Sequence, residues 1–382
     1  MCRRGMVMKR FFRLVPSLVF FAMLLAIMAA GIAKKDKTYS SAENRMLQEF
    51  PKFSVKRLLN GKFQKKYETY LSDQFPQRDS WVKFQTTTER AFGKKESNGV
   101  FFGKDGFLLE KHTKEEFDKK LVNKNVRALG KFVKQASKSA EVKVMMVPSK
   151  TYTLDHCLPA FAETYDEAVF YNQLEKELPK SVLVPVCDML KNHKKEYIFY
   201  KTDHHWTTFG AWYGYVSYLE SCKMDDKIAE PKKDLKKVSD SFLGTTYSKV
   251  NMYSQKDKIY IYEPGHEMEV VYNLGEKTGK TFYEKKYLKK KDKYSVFFGG
   301  NQALLEISGG AKKKETLLVV KDSFANCMLP FLAEDYGKVV VADMRHLNIS
   351  MSMLIRKFRP EKVLVLYNTI QFMQDKEFAL KP

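Results

Sequence analysis

The sequence predicts an α/β fold: a sandwich around a mostly parallel sheet, with a β-rich insertion and one membrane-spanning helix ahead of it. Three observations lead there. Short apolar runs alternate with segments of helical apolar spacing, as strands do when crossover helices join them in parallel. Residues 226–312 break that alternation with chain rich in Lys, Tyr, Gly and Thr. An uncharged apolar run from Leu14 to Ala33 stands near the start.

That run comes first. It is about as long as a helix crossing a bilayer, whereas a secretory signal has an apolar centre of only ~7–15 residues. An uncleaved anchor is therefore expected, although Ala29, Ala30 and Ala33 also offer a small-residue cleavage pattern. Arg3, Arg4, Lys9, Arg10 and Arg13 precede the span, and only Lys34, Lys35 and Lys37, with Asp36, follow it closely. The basic side stays in the cytoplasm. The expected layout is a cytoplasmic tail (1–13), a single-pass anchor (14–33) and an extracytoplasmic body (34–382).

The body has the means to fold. The chain has 382 residues, 44% hydrophobic and 14% aromatic, which is globular composition. Its 67 Lys+Arg against 45 Asp+Glu give +22. Such a surplus suits an anionic neighbour, but the lysines are scattered, as at Lys119-Lys120 and Lys232-Lys233, and read more readily as a solvated surface. No arginine-rich stripe with stacking aromatics appears, and the outward topology further opposes a nucleic-acid partner. Cys2, Cys157, Cys187, Cys222 and Cys327 form no CxxC pattern, so buried thiols are expected and one disulfide stays open.

Residues 34–97 read as a helical segment in which Phe75-Pro76 interrupts a helix pair; 98–382 is the α/β domain. Val100–Leu109 holds an Asp105-Gly106 pair between apolar runs, the signature of a hairpin. Thr113 with Glu116 makes a capping box, and Phe117, Leu121, Leu129 and Val133 keep a helical stripe. Val142–Val147, apolar except for Lys143, is a buried parallel strand. Thr164 with Glu167 caps a further helix, and Val182–Val186 is strand-like though weakened by Pro185. Leu317–Val320, Val339–Val341 and Val363–Leu366 supply the later strands. The insertion carries pieces such as Ile259–Tyr262 and Val270–Tyr272 and is expected to cover one end of the sheet.

Two short stretches carry chemistry. In Thr202-Asp203-His204-His205-Trp206-Thr207-Thr208, an Asp two residues from a His points to its side if the segment is extended. Such a pair can serve as orienting carboxylate and general base. In Lys321-Asp322-Ser323-Phe324-Ala325-Asn326, Ser323 follows a strand and opens a helical stretch. That is the carboxyl edge of a parallel sheet, with backbone N–H groups nearby to hold an oxyanion. Each stretch has a plainer reading: Ser323 as a helix cap, Asp203 with its histidines as a satisfied turn or a metal site of poor zinc spacing. A metal-dependent phosphatase would need further ligands such as Asp343 and His346.

The TDHHWT run resembles the signature of the DHHW protein family, which is similar to the alginate O-acetylation proteins of the SGNH hydrolase superfamily. SAENRMLQEFP, YLSDQFPQRD, SVFFGGNQ and VVKDSFAN resemble the same family in that order, over roughly residues 39–370. The resemblance implies an SGNH-like three-layer sandwich whose Asp-x-His pair precedes its Ser. It implies Asp203, His205 and Ser323 as a catalytic triad, with Asp322 beside the Ser as in the superfamily's first block. One departure stands out: Lys321 occupies the place of the usual Gly before that Asp. The candidate oxyanion or substrate residues are then Gly300 and Asn301, next Asn368, with His204 flanking the pair and pointing to the opposite side if the segment is extended; a Gly-Gly-Asn run reads equally as a turn.

The function so implied is O-acyl transfer to a cell-surface polysaccharide, or its deacylation, by a serine esterase or O-acetyltransferase acting through an acyl-enzyme. It needs no cofactor and no metal. With one span, the chain would receive acyl groups from outside or from a multi-pass membrane acyltransferase. The alternative is a non-catalytic glycan-binding or scaffolding component of an envelope polysaccharide assembly.

Overall fold

The computed structural model describes residues 2–40, 45–224, 235–252, 255–309 and 315–381. Ser41–Asn44 of the N-terminal motif, and residues 226–234, 253–254 and 310–312 of the expected insertion, lie outside the described residues. The chain divides into two compact units, Met1–Glu89 and Arg90–Pro382.

The first unit opens with helix α1, Cys2–Ala33, whose stretch Leu14–Ala33 has a mean hydropathy of 2.4 and is not buried. Strands β1 (Tyr39–Ser40) and β2 (Arg45–Met46) pair antiparallel. Helices α2 (Val55–Leu59), α3 (Lys62–Asp73) and α4 (Arg78–Ala91) follow, and α3 and α4 part at Phe75-Pro76. Proline lacks the N–H that would continue the ladder.

In the second unit β3 (Glu96–Ser97), β4 (Val100–Phe102) and β5 (Leu108–Glu110) form a small antiparallel sheet. Between β4 and β5, Asp105 and Gly106 take φ of 53° and 79°, the primed turn that an Asp-Gly pair favours. The Thr113–Glu116 capping box closes a short turn, Lys114–Glu116; helix α5, Lys119–Ala136, starts afresh with Asp118 as its cap.

The remaining strands are β6 (Glu141–Val147), β7 (Leu235–Phe242), β8 (Asp257–Tyr262), β9 (Glu269–Tyr272), β10 (Lys277–Gly279), β11 (Leu304–Ser308), β12 (Thr316–Lys321), β13 (Lys338–Ala342) and β14 (Lys362–Asn368). Seven of them form the central sheet, in the order β10-β9-β11-β13-β12-β14-β6. The expectation of a mostly parallel sheet is corrected here: the sheet is mixed. β6, β14, β12 and β13 run parallel, whereas β11, β9 and β10 are added antiparallel. The segment expected to cover one end of the sheet thus largely extends it, and only β7 and β8 stand apart as a two-stranded ribbon. Antiparallel neighbours need no long crossover, and β9 and β10 are joined by residues 273–276 alone.

Alternation along the parallel strands feeds a core on each face. Met145, Leu317, Val319, Val339, Leu364 and Leu366 pack on one side with Ala211, Tyr218 and Leu219 of the helix Thr208–Ser221. Val144, Leu318, Val320, Val340, Val363 and Val365 pack on the other with Val126, Leu129 and Val133 of α5. A helix layer therefore covers each face.

Two local expectations give way. Val182–Val186 is not a strand: Leu183 alone bridges to Val144, and Pro185 leads into the helix Val186–Asn192. Thr164 and Glu167 do not form a cap; the Thr164 hydroxyl donates to the His112 carbonyl, and the Glu167 carboxylate accepts from the Ser149 N–H. The described cysteines, Cys157, Cys187, Cys222 and Cys327, are free thiols.

Candidate active site

The TDHHWT segment is a tight loop. Phe199 and Trp206 bridge across its base, and the Tyr200 N–H meets the His205 carbonyl at 3.2 Å. Two buried charges shape it. Asp257 accepts from the Lys201 and Thr202 N–H groups (2.8 and 2.7 Å) and from the Thr202 hydroxyl at 2.5 Å. The Lys150 ammonium gathers the carbonyls of Tyr200, Lys201 and Asp203 at 3.0, 3.3 and 2.7 Å. The backbone is therefore bent, and successive side chains do not alternate as they do along a strand.

Asp203 is 1% exposed. One carboxylate oxygen faces His205 Nδ1 at 2.6 Å and accepts from the His205 N–H at 3.0 Å. The other accepts from the Thr245 N–H and hydroxyl at 2.8 and 3.0 Å. Burial by itself would raise its pKa, but the two imidazoles and these hydrogen bonds carry it well below the ordinary carboxylate value. Gly244 leaves the room: a Cβ there would lie 2.2 Å from the Asp203 Cβ.

His205 Nε2 meets Ser323 Oγ at 2.8 Å. The imidazole lies face to face with Tyr294, at 3.9 Å between centroids and 13° between planes. Ser323 begins a 3₁₀ turn, Ser323–Cys327, just past the end of β12. Asp322 shapes that junction: one oxygen accepts from the Phe324 N–H and the other from the Asn368 N–H at the end of β14, both at 2.8 Å. The ends of β6, β14 and β12 thus bring Ser149, Asn368 and Ser323 to one edge. The structure places Asp203, His205 and Ser323 in one continuous hydrogen-bonded line there.

A cleft of about 340 Å³ opens over this line, with Ser323, Phe324 and Asn368 on one side and Glu110, His204 and Lys249 on another. Glu110 bonds Lys249 at 2.7 Å and Thr246 at 3.0 Å. Burial opposes its charge, yet Lys249 and the nearby histidines pull its pKa down to about 2. His204 corrects an expectation. It does not point away from His205: the rings lie 3.9 Å apart, and His204 Nδ1 faces the Thr245 hydroxyl at 2.7 Å. Burial and then His205 lower its pKa. The bend imposed by Asp257 and Lys150 replaces the extended geometry in which it would have faced the other way.

The oxyanion candidates separate. Asn368 lines the cleft, with its amide nitrogen on the Val147 carbonyl at 3.2 Å. Gly300 and Asn301 do not line it. Gly299 and Gly300 take φ of 78° and 101°, as a turn requires, and Asn301 Oδ1 accepts from Asn326 at 3.2 Å and Lys321 at 3.4 Å. Lys321 also turns away from the cleft. Its ammonium, pushed down to about 8 by burial, donates to Asn326 at 2.7 Å and lies 3.8 Å from Asp343.

Asp203, His204 and His205 place possible metal-ligand atoms within 4.8 Å of one another. The set fits a cation poorly, because both Asp203 oxygens and both His205 nitrogens already face hydrogen-bond partners. Asp343, the further ligand a metal site would need, is held bidentate by Arg345 at 2.8 and 2.6 Å and does not line the cleft.

Tyr294, Thr245, Lys150 and Asp257 went unread in the sequence. Each meets the TDHHWT loop only through a long-range contact, and no local spacing signals it.

A family model described as DHHW protein matches residues 117–342. A DHHW family protein from Eubacterium siraeum has a similar structure at 22% identity and TM-score 0.63, covering 75% of this chain and 96% of its own. PatB1 of Bacillus cereus, solved with a sulfonyl adduct, is 22% identical with TM-score 0.59, covering 74% of this chain and 98% of its own. No curated protein matches.

Proposed function

Because the chain belongs to the DHHW protein family, we propose that its α/β unit is an SGNH-type serine enzyme that moves acyl groups on or off a cell-surface polysaccharide. The observation that carries this reading is the line from Asp203 through His205 to Ser323 at the mouth of a polar cleft.

Ser323 Oγ attacks the acyl carbonyl while its proton passes to His205 Nε2, and Asp203 steadies the imidazolium through Nδ1. The tetrahedral oxyanion is held by the Ser323 N–H, which makes no hydrogen bond among the described residues, and by the Asn368 amide. The ester C–O bond breaks, the leaving oxygen takes the proton from His205, and an acyl-enzyme remains. A sugar hydroxyl (transferase) or water (esterase) then attacks it, returning the proton through His205. The cleft's hydrogen-bonding lining suits a hydroxyl-rich acceptor better than an apolar one.

In this reading Leu14–Ala33 spans the membrane with the basic N-terminus inside, so that the enzyme faces the envelope. A multi-pass acyltransferase is the proposed source of acyl groups.

The test uses a sulfonylating reagent, because PatB1 was solved with a sulfonyl adduct. The full chain is treated with phenylmethanesulfonyl fluoride, and turnover of a chromogenic acetyl ester is followed with and without glycan acceptors. One sulfonyl group on Ser323 with loss of turnover is expected. Unchanged turnover in a folded Ser323→Ala variant overturns the serine mechanism.

A further inference from the structure

The unit Met1–Glu89 carries a surface that acyl transfer leaves unused. Among the described residues, α2 buries none, α3 buries Asp73 and α4 buries Thr86. Left in the open are Phe53, Leu59, Trp81 and Phe84, at 63%, 82%, 48% and 65% exposure. Helices of a soluble protein hide an apolar stripe. Large apolar side chains left in water across several helices mark a surface made to be covered.

Position says what covers it. Pro76, at the elbow between α3 and α4, lies against the last turns of α1: a Cβ built on Gly31 would be 3.9 Å from Pro76 Cγ. The Gln74 side chain accepts from the Lys37 N–H at 3.0 Å and donates to the Lys37 carbonyl at 2.9 Å. The Tyr70 hydroxyl donates to Asp36 at 3.1 Å. The elbow is thus tied to the place where the apolar stretch ends. Beside it Phe75, Trp81 and Phe84 form an edge-to-face chain, 6.4 and 6.3 Å between centroids. Aromatic rings, Trp above all, favour the headgroup level of a bilayer.

Charge agrees with position. Lys52, Lys56, Arg57, Lys62, Lys65 and Lys66 follow one another with no acidic residue among them. Exposed Phe53, Val55, Leu58 and Leu59 are interleaved with them. Basic side chains around exposed apolar ones are the composition of a segment lying in the interface of an anionic bilayer.

We infer that α2, α3 and α4 rest on the anionic membrane surface from which α1 emerges, with Trp81 and Phe84 among the headgroups. The inference depends on Leu14–Ala33 being a membrane span.

The full chain is reconstituted in nanodiscs whose lipids carry bromine high on the acyl chains, in matched anionic and zwitterionic compositions. Bromine quenches tryptophan only at close range, Trp206 is buried, and Trp81→Phe isolates the signal of Trp81. Quenching of the wild type that disappears in Trp81→Phe is expected. It should be stronger in anionic discs and fall to the zwitterionic level when Lys56, Arg57, Lys62 and Lys65 are all changed to Gln. Protein retained in the discs with Trp81 unquenched overturns the inference and leaves the span standing. Protein not retained overturns the span, and the inference with it. Quenching indifferent to lipid charge and to the four substitutions overturns the anionic partner.

Discussion

Tyr294 lies flat on the imidazole of His205 while its hydroxyl donates to the Ser323 carbonyl at 3.0 Å. One side chain therefore braces two members of the hydrogen-bonded line. The ring limits rotation of the imidazole, and its electron-rich face favours the imidazolium that forms during turnover. Tyr294→Phe keeps the ring and should keep turnover within a few-fold. Tyr294→Leu should lower kcat by roughly 2–30-fold, the span expected for about 0.5–2 kcal/mol of such an interaction, with little change in KM. Equal kcat in the two variants would remove the stacking argument.

Ser323→Ala should abolish ester turnover, by ~10⁴-fold or more, and leave the fold intact. Asp322, not Ser323, caps the turn, so the cap survives. His205→Ala should do the same, and the double variant should be little worse than either single, because such a line works as a unit. His204→Ala should cost far less, since His204 touches Asp203, Thr245 and the His205 ring but does not bond Ser323. Hydrolysis of a small acetyl ester, with circular dichroism on each variant, decides the matter; full additivity in the double variant would show that the residues act separately.

Gly244→Ala tests the packing behind Asp203. The added methyl would sit 2.2 Å from the Asp203 Cβ and 2.3 Å from Oδ2. Either the Thr245 turn or the carboxylate must move, at a cost of about 1–3 kcal/mol for overpacking. A lower melting temperature together with a fall in kcat is expected. Wild-type values for both would mean that the loop yields without disturbing Asp203.

How much of this the sequence discloses depends on the range of the contact. Asp203 with His205 is a local pair, and Ser323 stands at the end of an apolar strand, so all three were readable from spacing and residue type. The side on which His204 lies was not. It follows from a bend that Asp257 and Lys150 impose from distant parts of the chain, so strand-like alternation misplaced it. Sheet direction failed for a related reason. The apolar runs of β6, β12, β13 and β14 show burial, but nothing in β9, β10 or β11 says that they extend the same sheet by antiparallel pairing. Asn301 was a donor candidate because Lys321 displaces the usual Gly of the family's serine motif; the plainer reading of Gly-Gly-Asn as a turn is what the structure has, and the partners Asn326 and Lys321 are revealed only by the fold.

Glu167 provides a pH test of stability. It is 1% exposed, and its carboxylate accepts from the Ser149 N–H at 3.3 and 3.1 Å. Burial outweighs these bonds and pushes its pKa up to about 7, from an ordinary value of 4.5. The folded protein therefore binds a proton that the unfolded chain releases between those two values. Stability from this group is fully present below the unfolded value and is lost as pH rises to about 7. At ~1.4 kcal/mol per pKa unit, the loss across that window is on the order of 3 kcal/mol. Glu167→Gln has no proton to lose, and its amide oxygen can still accept from the Ser149 N–H. Other buried acids titrate in both proteins, so the difference between them isolates Glu167. Denaturant melts of the two proteins at pH 5 and pH 8 should show the wild type losing more stability than the variant. At pH 8 the variant should be the more stable. Parallel losses in the two would mean that Glu167 is already ionised in the fold at pH 5.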